Sequence, residues 1–446
     1  MQGILWAHYP LTKLFIKRSK VDMTSYLGPT GILDKRKEYF YPCTAHFYKK
    51  PPQLVRGEMQ YLYDNTGKAY TDFFSGVSVV ACGHCNPAIT AATIKQLETL
   101  QHTCTIYLTE PNVQLAEKMA DVLPGNLKRT FFVNSGSEAN EAALTLARLA
   151  TGKKEFIAFE YGLHGRTFLT MSVTGIPMWR SDNFLEEGVS FIPRPYDSDL
   201  NEQEAVERSL SALRKVLEEK GDRIAAMIVE PMQGNGGIVP APLSYFKAAK
   251  KLLEQHHVLL IADEIQTGFG RTGKMFAIDH YGIVPDIMTM AKALGNGVPI
   301  AAFATTDEIA THYNRPSAST LGGNPVSSMT ALAVLSYIES EQLTARAEQL
   351  GKQLKEGLLS LQTIYPAISD VRGLGLMIGM ELYANEPEKA VPLVDTILEE
   401  MKDRGFIIGK NGVNRNVIAF QPPLVITWQD LTNMLEALAD TFKQLL

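Results

Sequence analysis

The chain has 446 residues, 45% hydrophobic and 20% charged, which is enough apolar material for a large buried core and, by length, for two or three domains. Forty-three lysines and arginines stand against 48 acids, a net charge of −5, so no basic footprint invites nucleic acid or an anionic membrane, and a small-molecule enzyme is the expected class. Four cysteines (Cys43, Cys82, Cys85, Cys104) are too few for a disulfide framework, and no apolar run approaches the ~18 residues of a membrane span.

In chain order, residues 1–23 read as an N-terminal extension. Lys13, Lys17, Arg18 and Lys20 precede the first acid, Asp22, as in a mitochondrial presequence, but the stretch is poor in serine, has a single arginine and runs straight into Met23. A cytoplasmic enzyme is the first expectation and the mitochondrial matrix the alternative. Residues 24–75, with the hairpin-like YLYDNTGKAYTDFF, are expected to pack on the C-terminal domain.

The large domain is expected over 76–325. Short apolar runs at 130–134, 155–160, 189–193, 224–230, 257–264, 286–291 and 299–305 alternate with helical patterns such as 137–150, 202–220 and 243–256, the mark of an α/β domain with a mainly parallel sheet. A smaller α+β domain, 326–446, begins with one long or two consecutive helices over 326–362. It continues through GLMIGMELY, a helix at 391–404, short strands near 406–409 and 416–420, and a last helix from Trp428.

Two motifs mislead. Cys82-Gly-His-Cys85 has the spelling of a redox pair, yet Asn86-Pro87 follows and the helix is expected to open near Pro87, too late to activate Cys82. His102 and Cys104 add zinc-capable types at a spacing unlike that of structural zinc sites, so no metal is expected. Gly268-x-Gly270-x-x-Gly273 follows a strand as a dinucleotide fingerprint does, but Gly282 and Pro285 break the long helix that such a turn must open.

The chemistry gathers elsewhere. HVLLIADE ends in Asp263 and Glu264, at the carboxyl end of a strand, where open parallel sheets bind ligands. The next apolar strand ends at Lys292, where a lysine must either snorkel to solvent or be used as a neutral amine. In SGSEANEAAL, Ser135, Gly136 and Ser137 stand at a strand-to-helix junction suited to a phosphate, although the same residues spell an ordinary capping box. An amine, an acid and an anion cradle together fit pyridoxal phosphate.

With those residues in place, the chain resembles the class III (ornithine/4-aminobutyrate type) aminotransferases of fold type I. The resemblance covers about residues 40–440 and rests on SGSEANEAAL (135–144), HGRT (164–167), VEPMQGNGG (229–237), ADEIQTGFGRTG (262–273), MAKALGNG (290–297) and TLGGNP (320–325). FYKKP, DFFSGVSVV and GHCNP are closest in texture to the alanine–glyoxylate aminotransferase 2-like members. The resemblance implies the pyridoxal-phosphate transferase fold and makes Lys292 the Schiff-base lysine and proton carrier. It makes Asp263 the carboxylate that keeps the pyridine nitrogen protonated. Gln266 would bond the ring oxygen, Glu230 would sit beside the site, and Gly136 and Ser137 would take the phosphate. Thr320 would serve the phosphate of the neighbouring subunit in a homodimer with shared sites.

The departures bear on substrate. Leu163 stands where most members stack an aromatic ring on the cofactor, with Tyr161 two residues away as a substitute. Ala419 replaces a carboxylate-binding arginine, and Asn235 replaces the glutamate that shields it. Arg415 lies four residues upstream, Arg166 matches a second carboxylate-binding arginine, Tyr48 matches a substrate-side tyrosine, and Val77 is small where ornithine-specific members carry an aromatic. The expected activity is ping-pong transfer from an ω-amino acid or amine of the β-alanine type to 2-oxoglutarate or pyruvate. The alternatives are an alanine–glyoxylate-type transaminase and an amino-acid epimerase on the same cofactor.

Overall fold

The structure is a computed structural model and describes residues 26–446; the expected extension 1–23 lies outside them. Each of the seven apolar runs forms a strand of one sheet, in the spatial order Arg129–Val133, Ala301–Thr305, Ile287–Met290, Leu259–Asp263, Ile224–Val229, Glu155–Phe159, Val189–Ile192. Ala301–Thr305 runs antiparallel to both its neighbours, and every other pairing is parallel. Ile224–Val229, Ile287–Met290 and Ala301–Thr305 are buried throughout. Helices covering both faces of a parallel sheet leave no face for polar alternation, which explains the unbroken apolar runs.

On one face, the helix Gly136–Thr151 packs across Ala301–Thr305, Ile287–Met290 and Ile224–Val229. Ser135 caps it, its Oγ accepting from Glu138 N at 3.2 Å while Glu138 Oε2 accepts from Ser135 N at 3.0 Å. Gly152 ends it in a left-handed conformation, φ +70°. Glu202–Lys220 and Tyr245–Gln255 pack together against Val189–Ile192 and Leu259–Asp263.

The stretch 326–362 resolves into two helices, Pro325–Ser340 and Leu343–Ile364, because Gln342 between them takes φ +50°. Beyond them, Ile368–Leu374, Met377–Leu382, Val417–Phe420 and Gly409–Asn411 form an antiparallel sheet backed by Leu343–Ile364, and the helices Pro387–Asp403 and Trp428–Leu445 pack against each other. The N-terminal meander Leu54–Glu58, Tyr61–Asp64, Ala69–Asp72 gains a fourth, parallel strand from Phe406–Ile407. No helix among the described residues is long and apolar enough to cross a membrane.

The misleading motifs resolve physically. Asn86 caps a helix that starts at Pro87, and burial pushes the Cys82 thiol up to about 12, far from a reactive thiolate. The glycine-rich turn at 268–273 leads only to the short 3-10 helix Ala277–Tyr281.

Candidate active site

Strands Leu259–Asp263 and Ile287–Met290 are parallel neighbours with Asp263 opposite Thr289, so Asp263 and Lys292 leave the sheet at the same edge. Glu230 follows the end of Ile224–Val229, Leu163 lies in the turn after Glu155–Phe159, and Ser135 and Gly136 follow Arg129–Val133. Parallel topology thus collects residues distant in sequence at one rim.

Asp263 is 3% exposed and bound on three sides. Oδ2 accepts from Asn140 Nδ2 at 2.8 Å and lies 2.8 Å from His164 Nδ1, while Oδ1 accepts from Ile265 N at 3.1 Å. Asn140 also donates to the His164 carbonyl at 2.7 Å and accepts from Thr289 Oγ1 at 2.6 Å, so its buried amide is satisfied at both ends. The adjacent Glu264 has different partners: its carboxylate accepts from Ala277 N, Ile278 N and Thr267 Oγ1, tying the segment 267–278 together. Burial raises it to about 7 despite those donors. Of two neighbouring acids, one faces the site and one braces the scaffold.

Lys292 is half-buried on a left-handed backbone, φ +46°, uncommon for a residue with a Cβ and a mark of a functional position. Burial holds its ammonium below the ordinary lysine value, against the pull of Asp263 and then Glu230. A lysine in that state offers more of the neutral amine that attacks a carbonyl. Glu230 ties two loops together, Oε1 accepting from Leu163 N and Oε2 from Gly234 N, each at 2.9 Å. Burial is the first cause of its raised pKa. Gly234 must lack a Cβ because Gln266 Oε1 would lie 1.9 Å from it.

At the cradle Ser135 is spent on capping, but Ser137 is not. Its Oγ accepts from Arg166 N at 3.1 Å, which leaves its proton to donate. A Cβ on Gly165, φ +147°, would come within 2.7 Å of that oxygen. Thr320 is exposed, next to Ser319, whose Oγ accepts from Asn134 Nδ2 at 3.1 Å.

The substrate-side candidates separate into two groups. Tyr48 donates to the Ile408 carbonyl at 3.3 Å, and its neighbour Phe47 packs against Phe74, 5.9 Å between ring centres. Val77 belongs to a single left-handed turn, Ser75–Ser78, with φ of 52°, 60°, 69° and 59°, a conformation a β-branched residue adopts only under constraint. Asp72 Oδ1 braces it by accepting from Phe74 N and Ser75 N at 2.8 Å. Ala419 is fully buried with Met232, Ile238 and Met377, against Phe74. Arg415 is half-buried, its guanidinium 5.3 Å above the Phe47 ring, and it pairs with no carboxylate among the described residues. Arg166 is exposed and likewise unpaired among them. Tyr161 lies against Arg194, 5.0 Å from guanidinium to ring.

Asn140, His164 and Thr289 were not singled out from sequence. Their signal is present in hindsight: Asn140 is four residues past Gly136 on the buried face of the cradle helix, and Thr289 is the polar residue of IMTM.

The family described as Aminotransferase class-III matches residues 46–442. The chain belongs to the class III aminotransferases. It is 41% identical over 421 residues to alanine–glyoxylate aminotransferase 2 homolog 2, mitochondrial, of Arabidopsis thaliana, covering 93% of this chain and 88% of that one. It is 38% identical to the 5-aminovalerate aminotransferase of Pseudomonas aeruginosa, over 89% of this chain and 94% of that one. Among solved structures, an omega transaminase from Pseudomonas jessenii in complex with PMP superposes with a TM-score of 0.85 at 30% identity, covering 92% of this chain and 97% of the other. The fold of this aminotransferase is therefore pyridoxal-phosphate transferase fold type I, and its cofactor is pyridoxal 5'-phosphate.

The residues present fit that cofactor. Gln266 Nε2 is a buried donor with no partner among the described residues. The Ser137 hydroxyl at a helix start would suit the phosphate, Asp263 would suit the ring nitrogen, and Lys292 would supply the amine. When bound, pyridoxal phosphate supplies the electron sink for loss of a proton from the amine-bearing carbon.

Proposed function

We propose that this aminotransferase takes the amino group of an ω-amino acid or amine of the β-alanine type and passes it to 2-oxoglutarate or pyruvate in two ping-pong half-reactions. The observation that carries this reading is the burial of Ala419 against the apolar side chains of Met232, Ile238 and Met377, together with the neutral Asn235. Neither Ala419 nor Asn235 brings a charge to meet an α-carboxylate next to the reacting carbon, whereas Arg166 at the rim can clasp a carboxylate farther out.

In this reading Lys292 binds the cofactor and moves the proton, Asp263 holds the ring nitrogen's proton, and Gln266 donates to the ring oxygen. Leu163 covers one ring face, held by Glu230. Gly136 and Ser137 hold the phosphate. Tyr48, Val77 and Arg166 border the substrate. The active assembly is a homodimer with shared sites, Thr320 of each subunit serving the other's phosphate. Thr320 lies on the surface beside Leu321, which is 54% exposed, and Ile106, Tyr107 and Leu108 are also exposed, apolar surface that a second copy would cover. The cytoplasm remains the proposed compartment, and a presequence would fall in residues outside those described.

A second reading, the alanine–glyoxylate type, is favoured by one observation: Arg415, half-desolvated and without a carboxylate partner among the described residues, lies in the turn just before the strand Val417–Phe420 that carries Ala419. One experiment separates the readings. The absorbance of the bound cofactor is followed while single amines and amino acids are added, then restored with single oxo acids. Response to β-alanine-like donors supports the first reading, and response to alanine with restoration by glyoxylate supports the second. Exchange of substrate chirality with no oxo acid requirement would identify an epimerase.

A further inference from the structure

Between the helix Gly28–Tyr39 and the strand Leu54–Glu58 the chain forms no helix or strand, yet this stretch carries Phe47 and Tyr48. Pro51 and Pro52 have no N–H to give, and the backbone of Lys49 and Lys50 is tied to the rest of the chain by two side chains of the helix Pro387–Asp403. Glu399 Oε2 accepts from Lys49 N at 2.9 Å and Oε1 from Lys50 N at 3.0 Å, while Lys402 Nζ donates to the Lys50 carbonyl at 3.2 Å. Glu399 and Lys402 are themselves paired at 2.6 Å, and Lys402 is only 3% exposed. Its ammonium lies 5.9 Å from the centre of the Tyr48 ring, within reach of a cation–π contact. Asp395, four residues before Glu399 on the same helix face, pairs with Lys410, whose ammonium is 5.8 Å from the Phe47 ring. Burial opposes charge on both members of the pair, but Lys402 and the two amides hold the Glu399 carboxyl below its ordinary value, and Glu399 and Asp403 hold the Lys402 ammonium above its own. A buried ion pair often adds little net stability. What this one supplies is placement, two consecutive amides and a carbonyl fixed by charge-assisted hydrogen bonds.

Resting on the reading of Tyr48 as a substrate-side residue, we propose that Glu399 and Lys402 are positioning residues that set the binding of the amino donor through the segment Phe47–Lys50. The bonds at Lys49 and Lys50 leave the adjoining Tyr48 little freedom to swing. Its hydroxyl makes one contact of its own, 3.3 Å to the Ile408 carbonyl, too long to hold the ring by itself. Without the latch the segment drifts and the donor is held less well, although neither Glu399 nor Lys402 touches it. Asp263 and Ser137 are bonded to other elements, so the cofactor's own site is untouched.

The test uses the full-length holoenzyme. The first half-reaction is followed by the absorbance of the bound cofactor with β-alanine and, separately, with L-alanine, which gives the half-saturating concentration and the limiting rate for each donor. For the donor that reacts, Glu399→Ala and Lys402→Met should each raise the half-saturating concentration about tenfold, with the limiting rate within about threefold of wild type and the affinity of the stripped protein for pyridoxal phosphate unchanged. Deuterium exchange at the Lys49 and Lys50 amides should quicken in the same variants. In a Tyr48→Ala background, Glu399→Ala should add no more than about twofold, because the residue through which it acts is gone. A limiting rate and a cofactor affinity that fall together, an unchanged half-saturating concentration, or an effect that persists in full without the Tyr48 side chain would overturn the proposal. Should Glu399→Ala not fold, Glu399→Gln, which keeps one acceptor, decides in the same way, with an expected rise of about threefold. A Tyr48→Ala variant that binds the donor as wild type does would instead defeat the underlying reading of Tyr48.

Discussion

Asn140 Nδ2 lies 2.8 Å from Asp263 Oδ2, which fastens the carboxylate at the end of the central strand to the helix that opens the anion cradle. The third bond of the same amide, from Thr289 Oγ1 at 2.6 Å, brings in the strand that leads to Lys292. The groups proposed to hold the cofactor's ring, phosphate and aldehyde carbon are thus set relative to one another by one buried side chain.

That arrangement makes Asp263→Asn a severe change. With donors at both carboxylate oxygens, either orientation of the new amide turns its NH2 toward an N–H, and the negative charge is lost as well. Turnover should fall on the order of 10² or more, about 2.7 kcal/mol in barrier. A rate near wild type would mean that the carboxylate only braces the fold.

Lys292→Ala should abolish both turnover and the absorbance of lysine-bound cofactor, with far-ultraviolet circular dichroism unchanged. Among the described residues, the next two strands of the sheet end at this edge in acids and not lysines: Asp263 on one, and Val229 followed by Glu230 on the other. Borohydride labelling of any other lysine would move the assignment.

The pH dependence of stability has a source away from the chemistry. Burial raises Glu264 from the usual carboxylate value to about 7, so between about pH 4.5 and 7 the folded protein holds a proton that the unfolded chain has released. The folded state then binds more protons, and this group's stabilising contribution is complete below about 4.5 and lost as pH rises toward 7. Glu264→Gln has no such titration. The stability of the parent relative to the variant, measured by urea unfolding, should decline by on the order of a few kcal/mol from pH 4.5 to 7.5. A flat or rising difference would mean a carboxylate ionised throughout.

Much of this was legible in the chain. Buried parallel strands must be apolar on both faces, so the seven runs stood out; their spatial order did not, because helical crossovers set it. Asp263 and Glu264 read as a pair, and no local rule says that one would face the site while the other held Ala277 and Ile278. SGSE was open between capping and anion binding; Ser135 caps, and the Ser137 hydroxyl is free of that duty. The turn Ser75–Ser78 was hidden for a different reason. Valine disfavours positive φ, so only tertiary bracing by Asp72 reveals it. Asn140 and Thr289 were overlooked because single polar residues inside apolar elements are common, and only the fold brings these two to Asp263.

The substrate prediction turns on two arginines in unlike surroundings. Arg166 is exposed, its backbone N–H bound to Ser137 Oγ at the cradle, and its side chain pairs with no carboxylate among the described residues. Arg415 is half-buried above Phe47, where burial lowers its pKa and Asp395 opposes that fall. If the donor's acid lies far from its amine, Arg166 is the group that meets it, and Arg166→Lys keeps the charge while losing the two-pronged geometry. KM for acid-bearing substrates should then rise roughly tenfold or more, on the order of 1.4 kcal/mol, with little change in kcat because the lost contact is shared by ground and transition states. Amines without a carboxylate should react as before. Arg415→Lys should leave both classes unchanged. The opposite pattern, with α-amino acids the preferred donors, Arg166→Lys without effect and Arg415→Lys raising KM, would sink the ω-amino-acid reading and place the substrate's carboxylate beside Phe47.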